Sequence, residues 1–215
     1  MRKDRTTMLT DDLLVRIPAL LLALTVHEAA HGLIAHRLGD PTAKEHGRLT
    51  LNPLAHLDPI GLLALWLVGF GWAKPVPVNP LYFKGDRRRG MFLVGLAGPG
   101  ANFLLALLFS LFFAALPLLY QHQLVRELMT ATFIYNVFLG VFNLLPFPPL
   151  DGSKVLAYFL PRNIAYSFSQ LEQYGPLILI LLIFSGILPR LLQPLAAGAI
   201  EVILAITAIL TGRGL

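Results

Sequence analysis

Apolar residues fall in long runs along this chain, and a run of about 20 is what a helix needs to cross a lipid bilayer. The first is Leu13 to Leu38, with Thr10, Asp11 and Asp12 as candidate N-caps and Gly39, Asp40 and Pro41 as its stop. A polar stretch from Thr42 to Pro59 follows. Within it Gly47 to Pro53 alternates apolar and polar residues and reads as a short strand or extended segment. Gly61 to Ala73 is apolar but too short to cross. After Lys74-Pro75-Val76-Pro77-Val78-Asn79-Pro80 and a basic loop, Met91 to Leu119 is a long span whose Gly95, Gly98 and Gly100 allow close helix approach. Ala131 to Leu145 ends at Pro146-Phe147-Pro148-Pro149, which no helix continues through. The polar stretch Asp151 to Gln173 precedes two last spans, Tyr174 to Leu188 and Leu195 to Thr211. The pattern predicts an all-α polytopic membrane protein of about five transmembrane helices, a short re-entrant segment and small extended or β elements.

Composition agrees with lipid as part of the solvent. Residues are 56% hydrophobic and 13% charged, and a soluble chain of 215 residues leaves too much surface in water to hide that many apolar side chains. The net charge of +5 resides in short loops between apolar runs, where membrane topology places it, so nucleic acid is not the expected partner. Having no cysteine, the chain offers neither disulfides nor thiolate ligands. The apolar run at Leu13 is not read as a removable leader, because it carries the candidate chemistry.

That chemistry is His27-Glu28-Ala29-Ala30-His31, the H-E-x-x-H pattern. Positions four apart on a helix differ by about 40° in azimuth, so both imidazoles leave one face a turn apart. Glu28 lies near any metal they hold without having to bind it, which suits a general base. The bland alternative is a pair of packed core histidines. Three ionisable groups on one turn of a membrane span need a compensating partner, and a divalent cation is one. Catalytic zinc takes three protein ligands and leaves a fourth position open, so a further ligand is required. Most other acidic residues stand in polar loops. Asp151 differs: it follows the proline-broken stretch, and Gly152 permits a tight turn beside it.

The H-E-x-x-H motif together with Asn143 through Gly152, ending Leu150-Asp151-Gly152, resembles the site-2 protease family of intramembrane metalloproteases. The resemblance runs from about Pro18 to Lys154 and takes in Leu51-Asn52-Pro53, the segment Lys74 to Pro80, and Gly98-Pro99-Gly100-Ala101-Asn102. It implies one zinc ion per chain on His27, His31 and Asp151, Glu28 as base, and Asn143 as a catalytic residue that holds substrate or stabilises the oxyanion. Asn102 reads as a packing residue. The expected organisation is a single membrane-embedded metalloprotease domain over 1–215, with a core of about 13–154 and further helices in 174–211; it departs from the family pattern in having no inserted PDZ or appended CBS domain. Substrates would be single-pass transmembrane proteins or peptides in the lipid bilayer.

A shared metal requires His31 and Asp151 near one membrane face, so Gly61 to Ala73 must dip in and return. Eight Lys and Arg between Arg37 and Arg89, with three more on the same side, stand against six opposite; positive-inside counting then puts the site toward the cytoplasm of a multi-pass cell-membrane protein. His36 should point away from the metal, while His46, His56 and His122 read as surface groups, and Glu201 as a buried, paired carboxylate. The rival function is a membrane metal or ion transporter using the same cluster. The sequence leaves open the natural substrate, the regulatory signal and the oligomeric state.

Overall fold

A chain segment in hydrocarbon must satisfy its own backbone N–H and C=O groups, and helices do this here. The computed structural model describes residues 5–61, 72–116, 118 and 121–212. Its longer helices are α1 (Arg5–Arg37), α2 (Arg87–Ala115), α3 (Gln123–Asn143), α4 (Asp151–Phe159), α5 (Arg162–Ser169), α6 (Gly175–Phe184) and α7 (Ile187–Thr211). Five stretches are long and apolar enough to cross a membrane: Leu14–Arg37, Arg87–Ala115, Gln123–Asn143, Arg162–Phe184 and Ile187–Thr211. Large apolar side chains such as Phe184 and Ile209, each 80% exposed, are costly in water and at home in lipid.

Helix α1 starts earlier than the cap signals suggest, so Thr10, Asp11 and Asp12 lie inside it. Asp86 caps α2, its Oδ1 accepting from Arg89 N at 2.7 Å. Helix α7 begins eight residues before Leu195 and runs through Pro194, a break that membrane helices tolerate. Helices α1, α2 and α3 pack on one another. An apolar cluster of Ala106, Phe133, Val137, Val141, Ala196 and Ile203 joins α2, α3 and α7, with Ser110 Oγ and Thr207 Oγ1 bonded across it at 2.8 Å.

No strand occurs among the described residues; there is one isolated antiparallel bridge, Leu57 with Ala73. Gly47 to Asn52 forms turns and bends, because Asn52 and Pro53 open a 3-10 turn over Pro53–His56, with Asn52 Oδ1 accepting from Leu54 N at 3.1 Å. Residues 74–79 carry no helix or strand, and Asn79 at their end has extended φ and ψ. Residues 62–71, the body of the expected re-entrant segment, lie outside the described residues, but its ends meet: besides the Leu57–Ala73 bridge, Lys74 N donates to His56 O at 2.9 Å. His56 is buried, at 1% exposure, donating from Nε2 to Thr50 O at 2.9 Å and facing Arg48 through Nδ1. Glu201 is exposed on α7 rather than buried and paired.

Candidate metal centre

The α1 helix brings His27 and His31 to one face, and their rings meet edge to face with centroids 4.6 Å apart. Asp151 reaches them from the first residue of α4, where a helix N-terminus favours a carboxylate. Its Oδ2 stands 3.1 Å from His27 Nε2 and 3.0 Å from His31 Nε2, and the two Nε2 atoms are 3.0 Å apart. All three side chains are buried. Among the described residues this is the one group of His and acidic side chains with metal-binding geometry; His36, His46, His56 and His122 stay out of it.

The surroundings decide which nitrogen of each ring is free. Asn102, fully buried on α2, spends its amide N–H groups on Ala23 O at 3.0 Å and Asn136 Oδ1 at 2.8 Å. Its Oδ1 is therefore an acceptor, and His27 Nδ1 donates to it at 2.6 Å. Asn136 is oriented in turn by donating to Thr132 O at 2.8 Å. His31 Nδ1 donates to Val94 O at 2.7 Å. With both Nδ1 atoms protonated, both Nε2 atoms present lone pairs, so three acceptors converge with no hydrogen between them. A divalent cation satisfies that donor set. Zinc bonded at about 2.0–2.1 Å in a tetrahedron sets its ligand atoms about 3.3 Å apart, close to the separations here.

Lys154 Nζ donates to Asp151 Oδ1 at 2.9 Å and leaves Oδ2 for the imidazoles. Burial alone would push the Asp151 carboxyl up, while the Lys154 ammonium at Oδ1 favours the charged carboxylate. Gly152 is helical, without positive φ. Its hydrogen matters for packing rather than for a turn, since a Cβ there would collide with the Leu144 and Leu145 carbonyls. Gly98 meets the site itself: a Cβ on it would strike His31 Nε2 and lie 2.6 Å from His27 Nε2.

Glu28 stands outside the triad, its Oε2 accepting from Val76 N at 2.9 Å. The segment 74–79 is held there at its far end too, where Asn79 N donates to the buried Asp40 Oδ2 at 2.7 Å. Asn143, half-buried at the end of α3, donates from Nδ2 to Leu139 O at 3.0 Å; no hydrogen bond ties it to the triad. Asn102, which the sequence presents as a packing residue, is the group that orients His27.

A model of peptidase family M50 matches residues 118–184. The chain is 37% identical over 198 residues to YwhC of Bacillus subtilis, provisionally named a zinc metalloprotease, covering 88% of this chain and 90% of that one. It is 32% identical over 183 residues to the Mycolicibacterium smegmatis protein Rip2, named in the same way, covering 79% of this chain and 66% of the relative. Rip2 of Mycobacterium tuberculosis H37Rv is 32% identical over 172 residues, covering 75% and 63%. The chain thus spans a little under two thirds of the mycobacterial relatives. No solved structure matches it.

Proposed function

Because the chain belongs to peptidase family M50, the site-2 protease family, we propose that it is an intramembrane zinc metalloprotease that hydrolyses peptide bonds in transmembrane segments of membrane proteins. The observation that carries this reading is the convergence of His27 Nε2, His31 Nε2 and Asp151 Oδ2 to within 3.1 Å of one another, the two histidines lying in a helix long and apolar enough to cross a bilayer. These three residues would hold the zinc. Bound zinc supplies Lewis acidity, which lets a water lose a proton near neutral pH and polarises a carbonyl. Glu28 accepts that proton and returns it to the leaving amine, completing hydrolysis without a covalent intermediate. The Val76 N–H holds the Glu28 carboxylate in place. Asn143 acts on the substrate or the developing oxyanion once substrate is bound, through the Nδ2 hydrogen that Leu139 O does not take.

A transmembrane helix hides its carbonyls in internal hydrogen bonds, so a substrate has to unwind before attack. The segment 74–79 beside Glu28, which forms no helix, offers backbone groups on which an unwound strand can pair. Leu57 meets Ala73, and His31 lies 3.0 Å from Asp151, which supports placing His31 and Asp151 at one membrane face. The excess of Lys and Arg on that face supports a site toward the cytoplasm of a cell-membrane protein.

The transporter reading has no such support. The buried polar groups Asn102, Asn136 and Thr132 bond to one another and to His27 rather than marking a second half-path. The test is cleavage of a model transmembrane peptide by the reconstituted protein. Cleavage should stop when a zinc chelator is added and return with zinc. Zinc flux without cleavage, or cleavage indifferent to chelation, would overturn the reading.

A further inference from the structure

Two of the membrane spans begin with arginine: Arg87 opens the span ending at Ala115, and Arg162 the span ending at Phe184. Lys and Arg at the ends of membrane spans favour the headgroup region, and both arginines line one cleft of ≈ 420 Å³ between α2, α4 and α5. Arg88 and Lys154 line it too, against one carboxylate, Glu172. Two of these four cations have protein partners. Arg88 Nη2 donates to the carbonyls of Ala157, Tyr158 and Leu160 at 2.7, 3.0 and 2.6 Å, closing the C-terminal end of α4. Lys154 holds Asp151. Arg87 and Arg162 are exposed at the mouth. Tyr158, Tyr166 and Met91 give the rest of the wall an aromatic and apolar character, the amphipathic mixture found where water meets lipid.

We propose that this cleft binds a phosphate ester at the membrane surface, that of an anionic phospholipid headgroup, with Arg87 and Arg162 as its principal contacts. A headgroup supplies the negative charge that the cations lack, at the depth where they stand, while its acyl chains follow the apolar faces of α2 and α6 into the bilayer. Arg prefers phosphate because its planar fork matches the anion's geometry. Since Lys154 also touches Asp151, the bound lipid would adjoin the metal centre and support the helix that carries the third ligand. The inference rests on the membrane reading and is independent of proteolysis.

The experiment titrates the full-length protein in mild detergent with phosphatidylglycerol or phosphatidylcholine and counts retained lipid by native mass spectrometry. The expected result is saturable retention of one phosphatidylglycerol in preference to phosphatidylcholine. Affinity should fall about 5-fold in Arg87→Gln and in Arg162→Gln and about 25-fold in the double variant, with helical circular dichroism unchanged. Equal retention of the two lipids by the wild type overturns the proposal even where a variant fails to fold. So does unaltered phosphatidylglycerol affinity in a folded double variant. Inorganic phosphate displacing the lipid at equal concentration would make this a site for soluble phosphate. Loss of cleavage confined to substrates with acidic flanking segments, with lipid affinity intact, would make it a protein-docking surface. Either result rejects the lipid assignment.

Discussion

Gly98→Ala should strip the protein of zinc, lowering metal affinity by about 100-fold or more, and abolish cleavage with it. The added methyl would strike His31 Nε2 and lie 2.6 Å from His27 Nε2, the donor atoms themselves. Neither ring has room to withdraw, because each is pinned from behind, His27 by Asn102 at 2.6 Å and His31 by the Val94 carbonyl at 2.7 Å. The backbone of α2 has little room to retreat either, since Val94, Gly95 and Pro99 around it are buried. Two residues on, Gly100 has nothing within 4 Å of where its Cβ would be. Gly100→Ala should therefore keep full zinc content, and it should gain slightly in stability, by about 0.5–1 kcal/mol, from the better helix former. Zinc measured by elemental analysis on the two variants checks the contrast. Equal zinc in both would mean that the Nε2 atoms are not the ligands.

Glu28→Gln separates binding from chemistry. The three donor atoms are left untouched, and a carboxamide oxygen still accepts from Val76 N, so zinc content should match the wild type. The amide takes no proton from water, however, and removing a positioned base costs about 10²–10⁴ in rate. Single-turnover cleavage of a transmembrane peptide reads the loss. Activity within tenfold of wild type at full zinc would assign the proton transfer to another group.

What could be read from the sequence divides along physical lines. His27 and His31 are legible because four residues of helix bring their side chains together, and the same local rule holds in any surroundings. Asp151 was reached through its proline-broken approach and the resemblance to a known family, and the structure brings its Oδ2 to 3.0 Å from His31. Asn102 reads from the sequence as a packing residue, and it is fully buried, but it also bonds to His27. Its bond to His27 spans 75 positions, and a long-range hydrogen bond leaves no periodicity to find. Gly98 reads as a helix-packing glycine, whereas the atoms nearest its Cβ position belong to the His27 and His31 imidazoles. The alternation of Gly47 to Pro53 suggested a strand, yet the side-chain cap from Asn52 and the fixed φ of Pro53 favour a 3-10 turn. Helix ends were least legible: α3 begins at Gln123, well before the apolar run at Ala131, because a helix continues through polar residues as it leaves the bilayer.

X-ray absorption at the zinc edge of the purified protein is the most direct measurement of the ligand set. The account predicts stoichiometric zinc with two imidazole nitrogens and oxygen neighbours at about 2.0–2.1 Å, and loss of that metal shell in Asp151→Ala. A shell without imidazole, or one unchanged by Asp151→Ala, would contradict it.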